Sequence, residues 1–371
     1  MLLILAIVSG LLLAYANGAN DNFKGVATLL GSGIMSYRRA LSWATLATGL
    51  GSLTALLLAR KLLVAFTGQG LVASGVVADP VFPASVALAA GTTVLLATRL
   101  GLPISTTHAL VGALTGAGLM ASTGGVNGSR LMSGFMLPLL TSPFLAVAFA
   151  AALYPLRHLG RAAQWLRNSG ANGGDEAVEI ASEVEGARQT PAVTLPALAA
   201  GSTTIGRSGS RSTKEGTGAR RLLDALHYSS AGAVSFARGL NDTPKIAALL
   251  LVGEMVTPGF AVFGVGVTLA AGGLISARRI AETMAWRVTE INRGQGFCAN
   301  IVTAALVIGA SGLGMPVSTT HVSCGSLFGI GAVTGQAHWR TMATIVLAWV
   351  TTLPIAALLG AVFFTALAAA A

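Results

Sequence analysis

Charge is what this 371-residue chain has least of. Charged residues make up 10% of it, against 53% hydrophobic ones, where a soluble domain carries about a quarter charged. With a mean hydropathy of +0.74, that scarcity excludes a soluble fold and points to an integral membrane protein. Only two cysteines are present. Cys298 and Cys324 both lie in apolar surroundings and read as packing residues, not as a disulfide framework. No GxxxxGK[ST] phosphate loop occurs, which argues against direct nucleotide-driven work. The alternation of outer-membrane strands is also missing.

Long apolar runs are there instead. They fall near residues 2–30, 41–59, 62–78, 84–98, 131–156, 222–253, 258–275, 295–312 and 340–370, with shorter interrupted stretches at 101–121 and 314–334. At roughly 20 residues per crossing they predict about ten to twelve membrane segments. Their Leu, Ala and Gly content makes them helices, and the 47 glycines suit close helix packing in lipid. The expected class is an all-α polytopic membrane protein. The net charge of +10 is ascribed to Lys and Arg at helix ends, such as Arg38, Arg39, Arg60, Lys61, Arg278 and Arg279, and not to nucleic-acid binding. Leu13-Ala14-Tyr15-Ala16 resembles a signal-peptidase site, but no positive residue precedes the apolar run, so an uncleaved first helix is expected.

Two motifs occur twice. GANDNFKGVA from Gly18 returns as GLNDTPKIAA from Gly239, matching Asn20 with Asn241, Asp21 with Asp242 and Lys24 with Lys245. GLPISTTHALVG from Gly101 returns as GMPVSTTHVSCG from Gly314. The order is the same each time, so the chain divides into homologous repeats at 1–156 and 222–371. The polar segment 157–221 reads as a disordered or loosely ordered linker, and its basic flanks (Arg157, Arg161, Arg167, Arg220, Arg221) favour the cytoplasmic side.

A carboxylate in a membrane segment is costly unless it is paired or holds a cation. Asn20, Asp21, Asn241 and Asp242 offer the oxygen ligands that suit Na⁺ in broken transporter helices, and Gly18, Gly25, Gly31 and Gly33 would ease a local unwinding. No other metal role is expected. Lys24 and Lys245 follow their aspartates by three residues, a spacing that also permits a purely structural ion pair. In the second motif Pro103 and Pro316 end or restart a helix. Ser105, Thr106 and Thr107, with Ser318, Thr319 and Thr320, would cap the segments that follow. Paired helix N-termini with hydroxyls make a natural anion site. His108 and His321 are open between donating to the anion, carrying a proton and orienting the hydroxyls. Glu290, Gln295 and Asn300 cluster around the start of a late apolar segment, and Glu282 and Arg287 precede them on an amphipathic stretch, ARRIAETMAWRVTEINR. These polar residues read as an interfacial helix with a solvated polar face, and Glu254 as likewise interfacial.

Together these motifs resemble the inorganic phosphate transporter (PiT) family over both repeats. The resemblance implies inversion of the repeats, re-entrant helical hairpins carrying the STTH motifs, a homodimer in the cell membrane, and Na⁺- or H⁺-coupled phosphate symport without a cofactor. It places Asn20, Asp21, Asn241 and Asp242 in the cation and substrate region, and the six Ser and Thr residues on the phosphate. The sequence departs from the family in one place. Where the family usually has small or neutral residues after the first Asn-Asp, this chain has Asn22-Phe23-Lys24, which would set a tethered ammonium where a coupling cation would otherwise sit. A sulfate permease of the same family is the alternative. A remote one is an intramembrane hydrolase using Ser105 or Ser318 with a histidine and an aspartate.

Overall fold

The computed structural model describes residues 1–121, 125–169, 214–251 and 256–371. Among the described residues there is no strand, only two isolated bridges. Ten helices of 16 residues or more carry the fold among the described residues. They are α1 (Leu2–Asp21), α2 (Tyr37–Leu58), α3 (Val81–Arg99), α4 (Thr106–Ala121), α5 (Leu137–Ser169), α6 (Lys214–Ala247), α7 (Pro258–Ser276), α8 (Arg293–Leu313), α9 (Thr319–Thr334) and α10 (Trp339–Ala370). Seven described helical stretches are long and apolar enough to cross a membrane. Exposed Leu, Phe, Ile and Val side chains line their outer faces, as on Leu46, Leu50, Leu53, Leu57, Phe144 and Phe149.

Residues 1–154 and 221–371 form one compact unit, separate from the residues between them. Most of the expected linker, 170–213, lies outside the described residues, as does Glu254.

Two expected segments differ. The run at 62–78 is not one crossing but two short helices, Arg60–Phe66 and Ser74–Ala78. Gly68 and Gly70, at φ +92 and +75, turn the chain between them, a conformation open to glycine and costly for other residues. The stretch after Arg278 is helical only as far as Arg287. One face packs inward through Ile280, Ala281, Met284 and Ala285, while Arg278, Arg279, Trp286, Arg287 and Glu290 are exposed.

The motif glycines serve packing more than unwinding. A Cβ on Gly18 would lie 2.0 Å from the Leu269 carbonyl oxygen of α7, and one on Gly272 would lie 2.0 Å from that of Tyr15 in α1. The second copy uses the same device: a Cβ on Gly239 in α6 would lie 2.1 Å from Thr48 O, and one on Gly51 in α2 would lie 2.0 Å from Phe236 O. Close backbone approach at small residues is how membrane helices gain van der Waals contact. Both Asn-Asp motifs are fixed at such crossings. Cys298 and Cys324 are buried and not joined to each other.

α4 and α9 each have 16 residues, about 24 Å of helix, short of the roughly 30 Å hydrocarbon core. Each follows its longer partner, α3 or α8, after an extended Pro-containing loop. This brings the N-termini of α4 and α9 into the protein interior, where both are buried.

Candidate functional site

The site grows from four chain segments: the ends of α1 and α6, and the loops that start α4 and α9. α1 ends at Asp21, the chain turns through Asn22 and Phe23, and a short 3-10 turn begins at Lys24. α6 instead runs on through Asp242, Pro244 and Lys245 to Ala247. In both copies the lysine pairs with the aspartate three residues before it. Lys24 bonds Asp21, and Lys245 Nζ lies 3.4 Å from Asp242 Oδ1.

Each lysine also reaches a carbonyl and a hydroxyl contributed by the two STT loops. Lys24 Nζ donates to Ile104 O of the first loop at 2.9 Å and to Thr320 Oγ1 of the second at 2.6 Å. Lys245 Nζ donates to Val317 O at 2.8 Å and to Thr107 Oγ1 at 2.8 Å. The two threonines themselves cross between halves, Thr320 to Ile104 O at 2.8 Å and Thr107 to Val317 O at 3.3 Å. The asparagines brace the same loops. Asn20 donates to Thr98 Oγ1 and Leu102 O, and Asn241 donates to Val317 O and accepts from Ser311 Oγ. The result is a pseudo-symmetric lattice of polar groups in which the Asn, Asp, Lys, Ser, Thr and His side chains of both motifs are buried.

The serines cap their helices. Ser105 Oγ accepts from His108 N at 3.1 Å, and Ser318 Oγ accepts from His321 N at 3.2 Å, the arrangement that satisfies an otherwise orphaned N–H. The next threonines face the carboxylates: Thr106 Oγ1 donates to Asp21 Oδ2 and Thr319 Oγ1 to Asp242 Oδ2, both at 3.3 Å. The histidines stand behind the loops. His108 Nδ1 meets Ser105 Oγ at 3.0 Å, the two imidazoles are 4.3 Å apart, and His321 stacks on Trp349 at 3.9 Å. Trp349 in turn donates to Pro103 O at 3.1 Å. No hydrogen bond joins a carboxylate to either histidine among the described residues, so no Ser–His–Asp relay is assembled.

Two residues outside the sequence-based set belong to the cluster. Arg238, 2% exposed, directly precedes Gly239. Its guanidinium donates to Asn17 Oδ1 at 2.7 Å and Asn22 Oδ1 at 3.0 Å, and its Nε lies 3.9 Å from Asp242 Oδ2. Asn17, the corresponding residue before Gly18, donates to Asp21 Oδ2 at 3.0 Å and Thr106 Oγ1 at 2.9 Å, and reaches toward Asp242 Oδ2 at 3.5 Å. The signal for Arg238 was in view: an arginine inside an apolar run is functional by default. Asn17 carried no such mark. Gln295 and Asn300, expected on a solvated face, are buried; Asn300 Nδ2 donates to Thr28 Oγ1 at 3.0 Å and Gln295 caps α8 against Asn292.

Two carboxylates therefore face three cationic side chains at the junction of two helix N-termini, an electrostatic setting that attracts an anion. The sequence profile described as the phosphate transporter family matches residues 17–360, spanning both copies of both motifs. The chain belongs to the phosphate transporter family. Among the relatives, a Rhizobium meliloti (strain 1021) protein named "Probable low-affinity inorganic phosphate transporter" is 29% identical over 379 residues, covering 98% of this chain and 96% of that one. A solved structure named "The sodium-dependent phosphate transporter" shares the fold, with a TM-score of 0.77 at 22% identity and 99% coverage of both chains. As a family member with seven described apolar spans, the chain is a multi-pass cell-membrane protein.

Proposed function

We propose that this chain is a secondary transporter that takes up inorganic phosphate by cation-coupled symport, with its substrate held between the N-termini of α4 and α9. The observation that carries the reading is the buried junction itself. Thr106 and Thr319 stand at the first turns of those two helices, each bonded to one aspartate, with Arg238, Lys24 and Lys245 alongside. In this reading Ser105, Thr106, Thr107, Ser318, Thr319 and Thr320 and the N–H groups of the helix ends meet the phosphate oxygens, the threonine protons turning to them from Asp21, Asp242, Ile104 O and Val317 O as the substrate enters. Asn20, Asp21, Asn241 and Asp242 shape the cation side. The repeats are taken as inverted, 157–221 as a cytoplasmic linker, and two copies as a homodimer.

The carboxylates favour phosphate over sulfate. Phosphate near neutral pH keeps a proton to donate, whereas sulfate has only acceptor oxygens, which Asp21 and Asp242 would repel. A site built to accept from a substrate hydroxyl rejects an analogue lacking it by as much as ~10⁴–10⁵. The hydrolase alternative has no assembled relay to support it, and the family's members are named as transporters.

Uptake of labelled phosphate into proteoliposomes, under imposed Na⁺ or H⁺ gradients and with excess unlabelled sulfate, tests the reading. Accumulation against a gradient that sulfate does not suppress is expected. Full competition by sulfate without phosphate accumulation would overturn it.

A further inference from the structure

The name of the solved neighbour raises sodium, and the oxygens of this site are of the kind sodium takes: carboxylate, hydroxyl and carbonyls of unwound backbone. Those oxygens are already claimed. The Lys24 ammonium is surrounded by Asp21, Asn20 Oδ1 at 2.8 Å, Ile104 O at 2.9 Å and Thr320 Oγ1 at 2.6 Å. The Lys245 ammonium has Asp242 Oδ1 at 3.4 Å, Val317 O at 2.8 Å and Thr107 Oγ1 at 2.8 Å. An ammonium has three protons to donate, so three acceptors satisfy Lys245 and four share those of Lys24.

We infer that Lys24 and Lys245 are the resident cations of this site, each filling an oxygen cage that a sodium ion would otherwise need, so that sodium neither binds there nor drives transport. The inference rests on the phosphate-transport reading for its transport part only.

Three further observations support it. Both cages draw on each half of the chain, since the backbone carbonyl comes from one STT loop and the hydroxyl from the other. They are thus built into the junction and do not arise from one helix pairing with itself. The threonine protons point away from the ammoniums, into Ile104 O and Val317 O, leaving oxygen lone pairs toward each Nζ. Finally, Asp21 and Asp242 already balance two of three cationic heads, Arg238 being the third. An added Na⁺ would find no unpaired carboxylate in the cluster and three positive neighbours.

The test has two readouts on the purified full chain. In proteoliposomes at fixed pH, the initial rate of labelled phosphate uptake is expected to stay within about twofold when NaCl is replaced by choline chloride; a loss of about tenfold or more, over 1.4 kcal/mol, overturns the inference. Absence of uptake in both salts counts against the transport reading instead, and binding then decides the lysine assignment. In detergent, the wild-type thermal midpoint is expected to be the same in NaCl and choline chloride, whereas Lys24→Ala, with one cage opened, gains a Na⁺-specific rise of about 2 °C or more. A Na⁺-specific rise in the wild type overturns the inference. So does a folded Lys24→Ala protein that shows none, with Lys245→Ala as the second variant should the first fail to fold.

Discussion

The two copies of the Asn-Asp motif are nearly the same object and differ where it matters. Both lysines hold a carbonyl from one STT loop and a hydroxyl from the other, and both motif glycines sit under a crossing helix. Yet the residue before the glycine is Asn17 in one copy and Arg238 in the other, and α1 breaks after Asp21 where α6 runs on past Asp242. The frame is nearly symmetric, with one lysine in each copy, and the third cation, Arg238, stands on one side only.

That asymmetry sets the order of expected effects. Asp242 carries both Lys245 and Arg238, whereas Asp21 pairs directly with Lys24 alone. Asp242→Asn is therefore expected to cost the most, about 3–5 kcal/mol of stability as cations lose their partner, and to abolish coupled uptake. Asp21→Asn is expected to abolish uptake at a smaller structural cost. Thermal unfolding of both purified variants reads the difference, and equal losses would show that Arg238 is not held by Asp242.

Making the second copy like the first sharpens the comparison further. Arg238→Asn removes the one cation without a counterpart, along with its charged hydrogen bonds to Asn17 and Asn22, each worth about 1.5–3 kcal/mol. Phosphate affinity is expected to fall by about 100-fold, roughly 2.7 kcal/mol, as measured by equilibrium dialysis.

Packing should be symmetric where charge is not. Gly18→Ala and Gly239→Ala would press a methyl group to 2.0 and 2.1 Å from a facing carbonyl oxygen. Each is expected to cost about 1–3 kcal/mol, with closely similar falls in thermal midpoint. The smallest effects fall on the caps. Ser318→Ala removes the bond from His321 N, about 1 kcal/mol, and Ser105→Ala a little more because His108 Nδ1 leans on the same oxygen.

Most of the frame was legible because two strong signals coincided. Uncharged helical runs fixed the class, and the paired motifs marked Asp21, Asp242, Lys24, Lys245 and the six hydroxyls. What periodicity and composition cannot carry is which polar groups meet. The Asp21–Lys24 spacing permitted a local pair, but nothing in it required Thr320, 296 residues away, to share the ammonium. Arg238 escaped because it stands one residue outside the matched motif, at the position where the copies disagree. The run at 62–78 misled because apolarity alone does not register a turn at Gly68 and Gly70. Gln295 and Asn300 misled because their partners, Gln336 and Thr28, are distant in sequence.

In the proposed function the two copies build one anion site between them, not one each. Equilibrium binding of labelled phosphate to the purified chain, with Thr107→Ala and Thr320→Ala as single variants, distinguishes the two arrangements. One phosphate per chain is expected, weakened by either substitution although the two residues belong to different halves. Two phosphates per chain, or a substitution in one half that leaves a full-affinity site in the other, would contradict it.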